Sequence, residues 1–437
     1  MRVAGVNNGE MKSDVITKGR MKKGVSAIAV VAVLFLAGCW DRVEIENRAF
    51  AVAFGVDGVE AIDTMDVTDV VDTTDTVTTV STASPFRFQF STAMASHDGE
   101  SAGSNGGDSG ENEDNEDNED SNRDDSGTGS SAQGQTLIEA IHTLDANSSR
   151  KLSLGQAKTM VLGTEILRDR DLFCEVIGVV ENTPEIDSTI TVLATNSRVS
   201  DVLTASPPNE SKPGYHVVNF YRLAAKSGGR SFQKDFESMM ADLRATGNTV
   251  LPLVEKGEGR DANQKDANQR DAVQRGIVQK DTIRIEGALV IKDYRLAGEL
   301  DGTQLRGLLW AENKACKGAI LTIDNIPMIV RRHRSTLRFS EKDGRLRCTI
   351  DVRVKGEILR FNEEIPEALK YEQFIAQEIS ETAKKLQQEL EVDAFGFQTA
   401  LRRQRYSLYR QYVDDWPVVF KEMEIVPVVR CDITSNN

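Results

Sequence analysis

The residue with the clearest chemical assignment is Cys39, which closes the segment Leu36-Ala37-Gly38-Cys39. Lys18, Arg20, Lys22 and Lys23 lie upstream, and Val25 to Ala37 is almost wholly apolar. A basic region, a short apolar core and small residues at the cut define a secretory signal. A cysteine straight after the small pair makes that signal lipoprotein-like: the thiol is acylated and Cys39 becomes the mature N-terminus. The apolar run falls short of the roughly 20 residues that span a bilayer. Two acyl chains on one cysteine give a stable anchor where one chain is marginal. Residues 1–38 therefore read as a lipoprotein signal peptide, with Met21 as a possible true start. The mature chain works outside the cytoplasm, held against a membrane. Trp40, Asp41 and Arg42 follow at once; they are candidates for docking the juxtamembrane segment, and Asp41 with Arg42 reads equally as a solvated pair.

Catalytic chemistry needs a constellation, and the sequence offers none. Of four histidines, His97 borders an acidic tract, His142 lies on a helical pattern and His333 sits in a charged strand. No G-x-S-x-G elbow, phosphate-cradling glycine loop or H-E-x-x-H helix is present. Cys174, Cys316, Cys348 and Cys431 remain beside Cys39; they permit two disulfides in three pairings, but read better as free, mostly buried thiols. None has zinc-ligand spacing with a histidine. The expectation is a protein that is not an enzyme and has no metal and no cofactor.

The net charge of −15 is concentrated. Asp98 to Ser131 holds twelve acidic residues against Arg123 alone, which leaves the rest of the chain near −4. This tract has almost no apolar residue and cannot offset the entropy of ordering. It reads as a solvated, disordered insertion at about 98–132; no register supplies the glycine and glutamate of a calcium-binding loop. No basic stripe stands out, which argues against nucleic acid as a partner. A period-five repeat begins at Arg260-Asp261-Ala262-Asn263-Gln264 and marks a second polar linker at about 255–281. Its period is too short for a stacked-repeat fold.

Around these insertions the pattern is that of an α/β (α+β) chain. Strands are expected at Ala49–Val56, Phe86–Phe90, Lys158–Leu162 and Ser188–Thr195, with β-prone residues at Thr76–Val80. Helices are expected over Gln135–Ala146, on a face of Leu137, Ile138, Ile141 and Leu144, over Thr164–Val180 and over Val199–Thr204. Gln233–Arg244 is helical, followed by the apolar run Thr249–Val254 with Pro252 inside it. Further on come a strand at Ile283–Lys292, a helix at Asp301–Trp310, and strands at Ala319–Ile323, Met328–Phe339 and Leu346–Ile358. The last two are joined by a hairpin at Asp343-Gly344. Pro366 opens a long helix whose stripe is Ile375, Ile379, Ala383, Leu386 and Leu390, with Glu, Gln and Lys opposite. A helix over Gln398–Val413 and a strand over Val426–Asp432 close the chain.

Cys39-Trp40-Asp41-Arg42-Val43-Glu44-Ile45-Glu46 resembles the mature start of the Ger(x)C family, the C-subunit lipoproteins of spore germinant receptors. Gly55-Val56-Asp57, Gly287 to Lys292, Gly302, Gly307-Leu308-Leu309-Trp310, Asp393-Ala394-Phe395-Gly396 and Trp416 resemble the family's later pattern in order. Gly155-Gln156 departs from the expected Gly-His, and Val180-Glu181-Asn182 lacks the expected arginine before the acid. The resemblance implies three α/β domains in one elongated subunit, each with a mixed sheet and packed helices: 39–200, a small middle domain 201–282, and 283–437. It also implies a lipid-anchored subunit on the outer face of the spore inner membrane. There it would assemble with integral membrane A and B subunits in a receptor for nutrient germinants. Cys39 carries over as the lipidation site. The rival reading is a solute-binding lipoprotein serving a transporter, which calls for two similar lobes around a cleft.

Overall fold

Residues 45–60, 86–95, 129–205, 215–223, 228–257, 282–313, 316–358 and 367–435 are described in the computed structural model. Cys39 to Arg42, the Thr76–Val80 segment, Asp98 to Thr128, the pentapeptide repeat and Pro366 lie outside them. Ala49–Asn437 is one compact unit, and of the preceding unit, Met1–Arg48, only the last four residues are described.

A 3-10 turn, Ile45–Asn47, leads into β1 (Arg48–Glu60), which pairs antiparallel with β2 (Phe86–Met94). β1 runs past Gly58 because β2 pairs with it as far as Glu60. β3 (Ser130–Gly134) adds an antiparallel edge on β2. It occupies residues expected to end the acidic insertion; its composition lacks β-formers, and tertiary pairing overrides that preference. α1 (Leu137–Ala146) is capped by Thr136 and buries Leu137, Ala140 and Leu144, while Ile138 is exposed. The short β4 (Lys151–Ser153) pairs with β1, and β5 (Thr159–Gly163) runs parallel to it.

The helix expected over Thr164–Val180 is divided into α2 (Thr164–Arg168) and α3 (Arg170–Glu181). The division falls at Asp169, whose carboxylate accepts from Asp171 N and Leu172 N as the cap of α3. β6 (Thr191–Thr195) follows, parallel to β5. Both are buried along their whole length, as expected of parallel strands covered on two faces.

α4 (Val199–Thr204) and α5 (Tyr215–Leu223) come next, the latter after Pro213-Gly214, where no helix was expected. α6 (Phe236–Thr246) leads to β7 (Thr249–Gly257), β8 (Thr282–Lys292) and β9 (Arg295–Leu300). Pro252 is tolerated inside β7 because the β7–β8 ladder shifts register between Pro252 and Val254. β7 to β9 are antiparallel, and β7 joins β6 in parallel through Ala194 and Leu253. One sheet thus runs β3-β2-β1-β5-β6-β7-β8-β9. On one side Phe54, Met160, Val192 and Leu251 pack under α1, α3 and α6; on the other Ala53, Val161, Leu193 and Val254 pack under α4 and α5.

α7 (Gly302–Glu312) begins with a full capping box between Asp301 and Gln304. The second sheet is β10 (Ile320–Ile323), β11 (Ile326–Lys342), β12 (Arg345–Ile358) and, after the helices, β13 (Glu424–Ser435), which lies parallel to β12. Asp343 and Gly344 both take positive φ, the geometry of a tight hairpin turn. α8 (Ala368–Lys385) ends in a π-turn, Leu386–Leu390. The single helix expected over Gln398–Val413 is two, α9 (Phe397–Gln404) and α10 (Tyr406–Tyr412), and Trp416-Pro417 opens α11 (Trp416–Glu422). β8 serves both cores: Leu289 and Ile291 point to the first, Ala288 and Val290 to the one built on the second sheet.

Candidate functional site

In open α/β sheets ligands bind at the carboxyl ends of parallel strands, so that edge is the first place to look. Here Asp57, Thr164, Asn196 and Glu255 converge, from the ends of β1, β5, β6 and β7. Val199 N, at the start of α4, donates to Asp57 Oδ2 at 2.7 Å. A Cβ on Gly163 would strike Asp57 Oδ1, and one on Gly55 would strike Val199 and lie 2.5 Å from Val161 O. Gly55-Val56-Asp57 is therefore a seat for α4: the glycine admits the helix and the carboxylate binds its first amide. Burial pushes the Asp57 carboxyl up to about 6 against the opposing pull of Val199 N and Arg198.

The neighbouring groups are equally occupied. Thr164 Oγ1 lies 2.7 Å from both Thr195 O and Asn196 Oδ1. Asn196 Nδ2 donates to Glu255 Oε1 at 3.2 Å and to Glu299 Oε2 at 3.1 Å, tying β6 to β7 and β9. Lys256 N donates to Ser197 Oγ. The crevice is filled by the protein's own hydrogen bonds, an arrangement that holds α4 and the sheet edge in place.

The motif residues of the last third form a second cluster. A Cβ on Gly307 would strike Thr382 Oγ1 and lie 2.5 Å from Glu378 O, so α7 and α8 touch through the glycine. Glu378 is buried on the apolar side of α8, where only aliphatic residues were expected. It is satisfied there by Arg306, whose Nε lies 3.1 and 3.0 Å from its two oxygens, and by Trp310 Nε1 at 3.0 Å. His333 stands edge-on to Trp310 at 5.3 Å, and burial lowers its affinity for a proton. Asp393 accepts from Phe397 N, Gln398 N and Trp416 Nε1 at 3.0, 2.8 and 3.2 Å. Burial raises its carboxyl to about 6 despite those three donors.

Between α6, α7 and the start of α9 lies a cavity of about 490 Å³, lined in part by Lys234, Asp242, Asn248, Glu312, Asp393 and Arg403. Lys234 is buried and ion-paired with Asp242, and Asp393 is fully bonded as above. The cavity can hold water or a small polar molecule; the Thr249 hydroxyl lies 3.4 Å from Asp242 in it, and that carboxylate is taken up by Lys234. Among the described residues no three His, Cys, Asp or Glu side chains are placed to hold a metal ion. Cys174, Cys316, Cys348 and Cys431 are free, and burial pushes Cys431 up to about 12 and the Cys316 and Cys348 thiols up further. His142 is exposed on α1. No helix among the described residues is long and apolar enough to cross a membrane.

Cys39, Trp40, Asp41 and Arg42 all lie outside the described residues. Sequence reasoning marked Asp57, Trp310, Asp393 and Trp416 but missed Asn196, Arg306 and Glu378. Glu378 had one signal: it stands three residues after Ile375 and one before Ile379, inside the apolar stripe. Glu181, which lacks the expected neighbouring arginine, pairs instead with Arg244 from α6.

Residues 41–256 match the family described as Spore germination protein N-terminal domain, and residues 286–437 match Spore germination B3/GerAC like, C-terminal. "Putative spore germination protein YfkR" of Bacillus subtilis (strain 168) is 22% identical over 429 residues, which cover 94% of this chain and 96% of that one. The crystal structure of the GerBC protein superposes with a TM-score of 0.50 at 13% identity, over 88% of this chain and 98% of that one. The likeness to GerBC is one of fold, a mixed α/β architecture. The join between the two matched regions falls between β7 and β8, which are hydrogen-bonded neighbours, so the two regions share one sheet. By these two matches, which together take in most of its length, the chain belongs to the GerAC-like family of spore germination proteins.

Proposed function

We propose that this chain is the lipid-anchored, non-catalytic C subunit of a nutrient germinant receptor, acting on the outer face of the spore inner membrane with integral membrane A and B subunits. The observation that carries the reading is Cys39 at the end of a lipoprotein signal, directly ahead of a chain whose two matched regions are both spore germination domains. Acylated Cys39 holds the chain to the membrane, and Trp40, Asp41 and Arg42 dock the segment that follows. Eight residues, Trp40 to Asn47, separate Cys39 from Arg48 in the sequence. The sheet-edge crevice, filled by internal hydrogen bonds, supports a scaffolding role over solute capture.

Affinity capture of the chain from detergent-solubilised spore inner membrane, with mass spectrometry of what accompanies it, tests the assignment. Two polytopic membrane proteins in stoichiometric amounts are expected. An ABC-type permease in their place would replace this reading with that of a solute-binding lipoprotein.

A further inference from the structure

β11, β12 and β13 bury one face under α7, α8 and α11 and leave the other uncovered among the described residues. Strand alternation puts a set of exposed cations on that open face: Arg332, Arg334 and Arg338, Arg353 and Lys355, and Arg430, with Lys342 and Arg345 at its hairpin end. Two carboxylates stand among them. Asp351 lies 3.2 Å from Arg338 and 3.7 Å from Arg353, and Asp432 lies 3.6 Å from Lys355. The face's other acids are matched one to one, Glu424 by a two-pronged Arg347 at 2.7 and 2.6 Å and Glu357 by Arg331. The face carries an excess of positive charge within a chain of net charge −15. The sequence hides it, because strand alternation interleaves these cations with inward-facing residues such as His333, Leu337 and Val354.

We propose that this face docks on the anionic phosphate head groups of a membrane surface. The proposal rests on the membrane-anchored reading above. A second copy does not fit, since like faces repel. The cations are spread over three strands, the 14-residue β12 alone reaching about 45 Å, which suits an extended plane of charge. Guanidinium groups match phosphate geometry. Screening over about 8 Å at physiological salt makes the local face, not the net charge of the chain, decide the contact.

The test uses the mature chain, residues 39–437, carrying Cys39→Ala so that no acyl chain contributes. Flotation with vesicles of phosphatidylglycerol and phosphatidylcholine is compared with phosphatidylcholine alone. Each cation near such a surface is worth about 1 kcal/mol, or roughly fivefold in affinity. The chain is expected to bind only the anionic vesicles, and less as salt is raised. Arg334→Glu with Arg430→Glu, which leaves the Asp351 pairs intact, is expected to weaken binding about 100-fold or more. Arg334→Lys with Arg430→Lys is expected to keep it, and circular dichroism checks that each variant folds. Equal binding to both vesicle types, no binding, or an unaffected charge-reversed variant would overturn the proposal. So would capture of the acidic peptide Glu111–Asp120 in place of lipid. Acylation of Cys39 is read separately by mass spectrometry of the full chain, so a failed anchor and a failed face give different results.

Discussion

The indole nitrogen of Trp310 donates to Glu378 Oε2 at 3.0 Å, joining α7 to the buried side of α8. Arg306, one turn before Trp310, closes the same carboxylate from the other side. A carboxylate with both partners in place is tolerated in a core; removing one side of such a pair strands the other. Glu378→Ala leaves a buried indole N–H and a largely buried guanidinium without an acceptor. It is expected to lower stability by about 3–5 kcal/mol in urea unfolding. Glu378→Gln keeps an acceptor for Trp310 and is expected to cost less. A loss under about 0.5 kcal/mol, the size of an ordinary surface change, would remove the pair from the account of the core.

The α7–α8 contact makes a sharper prediction about glycine. A Cβ on Gly307 meets Thr382 Oγ1 and the Glu378 carbonyl, both fixed by the helix behind them. Gly307→Ala is expected to destabilise by about 1–3 kcal/mol, as overpacking does. Gly178, inside α3, has nothing within 4 Å of the position its Cβ would take. Gly178→Ala is expected to stabilise by about 0.5–1 kcal/mol through helix propensity alone. Thermal unfolding of the two variants side by side checks the opposite signs.

How far the sequence could be read depended on whether a residue's role was local. The strand expected over Ser188–Thr195, which forms from Thr191 on, the Asp343-Gly344 turn and the stripe of α8 are periodic or turn signals and were legible. Ser130–Gly134 became a strand only because β2 offers it an edge, and nothing in its composition reports that. Ile138 was expected inward as an apolar residue at helical spacing, yet Ala140 is buried in its place, because the apolar content of a position does not fix the rotation of a short helix. At the site the same division holds. Asp393 and Trp416 were both marked, but the bond between them spans 23 residues and had to be seen. Asn196 was not marked at all, since an asparagine after a strand reads as a turn until Glu255 and Glu299 are placed beside it.

Asp57 and Asp393 predict an unusual acid limb. Both carboxyls stand at about 6 in the folded chain against 3.8 for the free side chain. With folded values raised, the native state holds more protons than the unfolded chain between about pH 4 and 6, so stability falls as pH rises through that window. The difference between about 6 and 3.8 corresponds to at most about 3 kcal/mol per group. The contribution is fully present below about pH 4 and lost above about pH 6. Asp57→Asn keeps an acceptor for Val199 N without the buried charge. It is expected to raise stability at pH 7.5 and to flatten the decline between about pH 4 and 6. Urea unfolding across that range measures both, and a variant with the parent's pH profile would show that Asp57 is not the titrating group.

Cys39→Ala separates anchoring from folding. Cys39 stands nine residues ahead of Arg48, outside the compact unit Ala49–Asn437. Its unfolding midpoint is therefore expected to match the parent's. Under the proposed anchoring, losing the acyl chains would leave at most the weak electrostatic attraction proposed for the basic sheet face, which salt screens. In cells lacking the integral membrane partners, the variant is expected to leave the membrane fraction on a high-salt wash while the parent stays. Retention of the variant through that wash would mean that a segment other than an acylated Cys39 holds the chain to the bilayer.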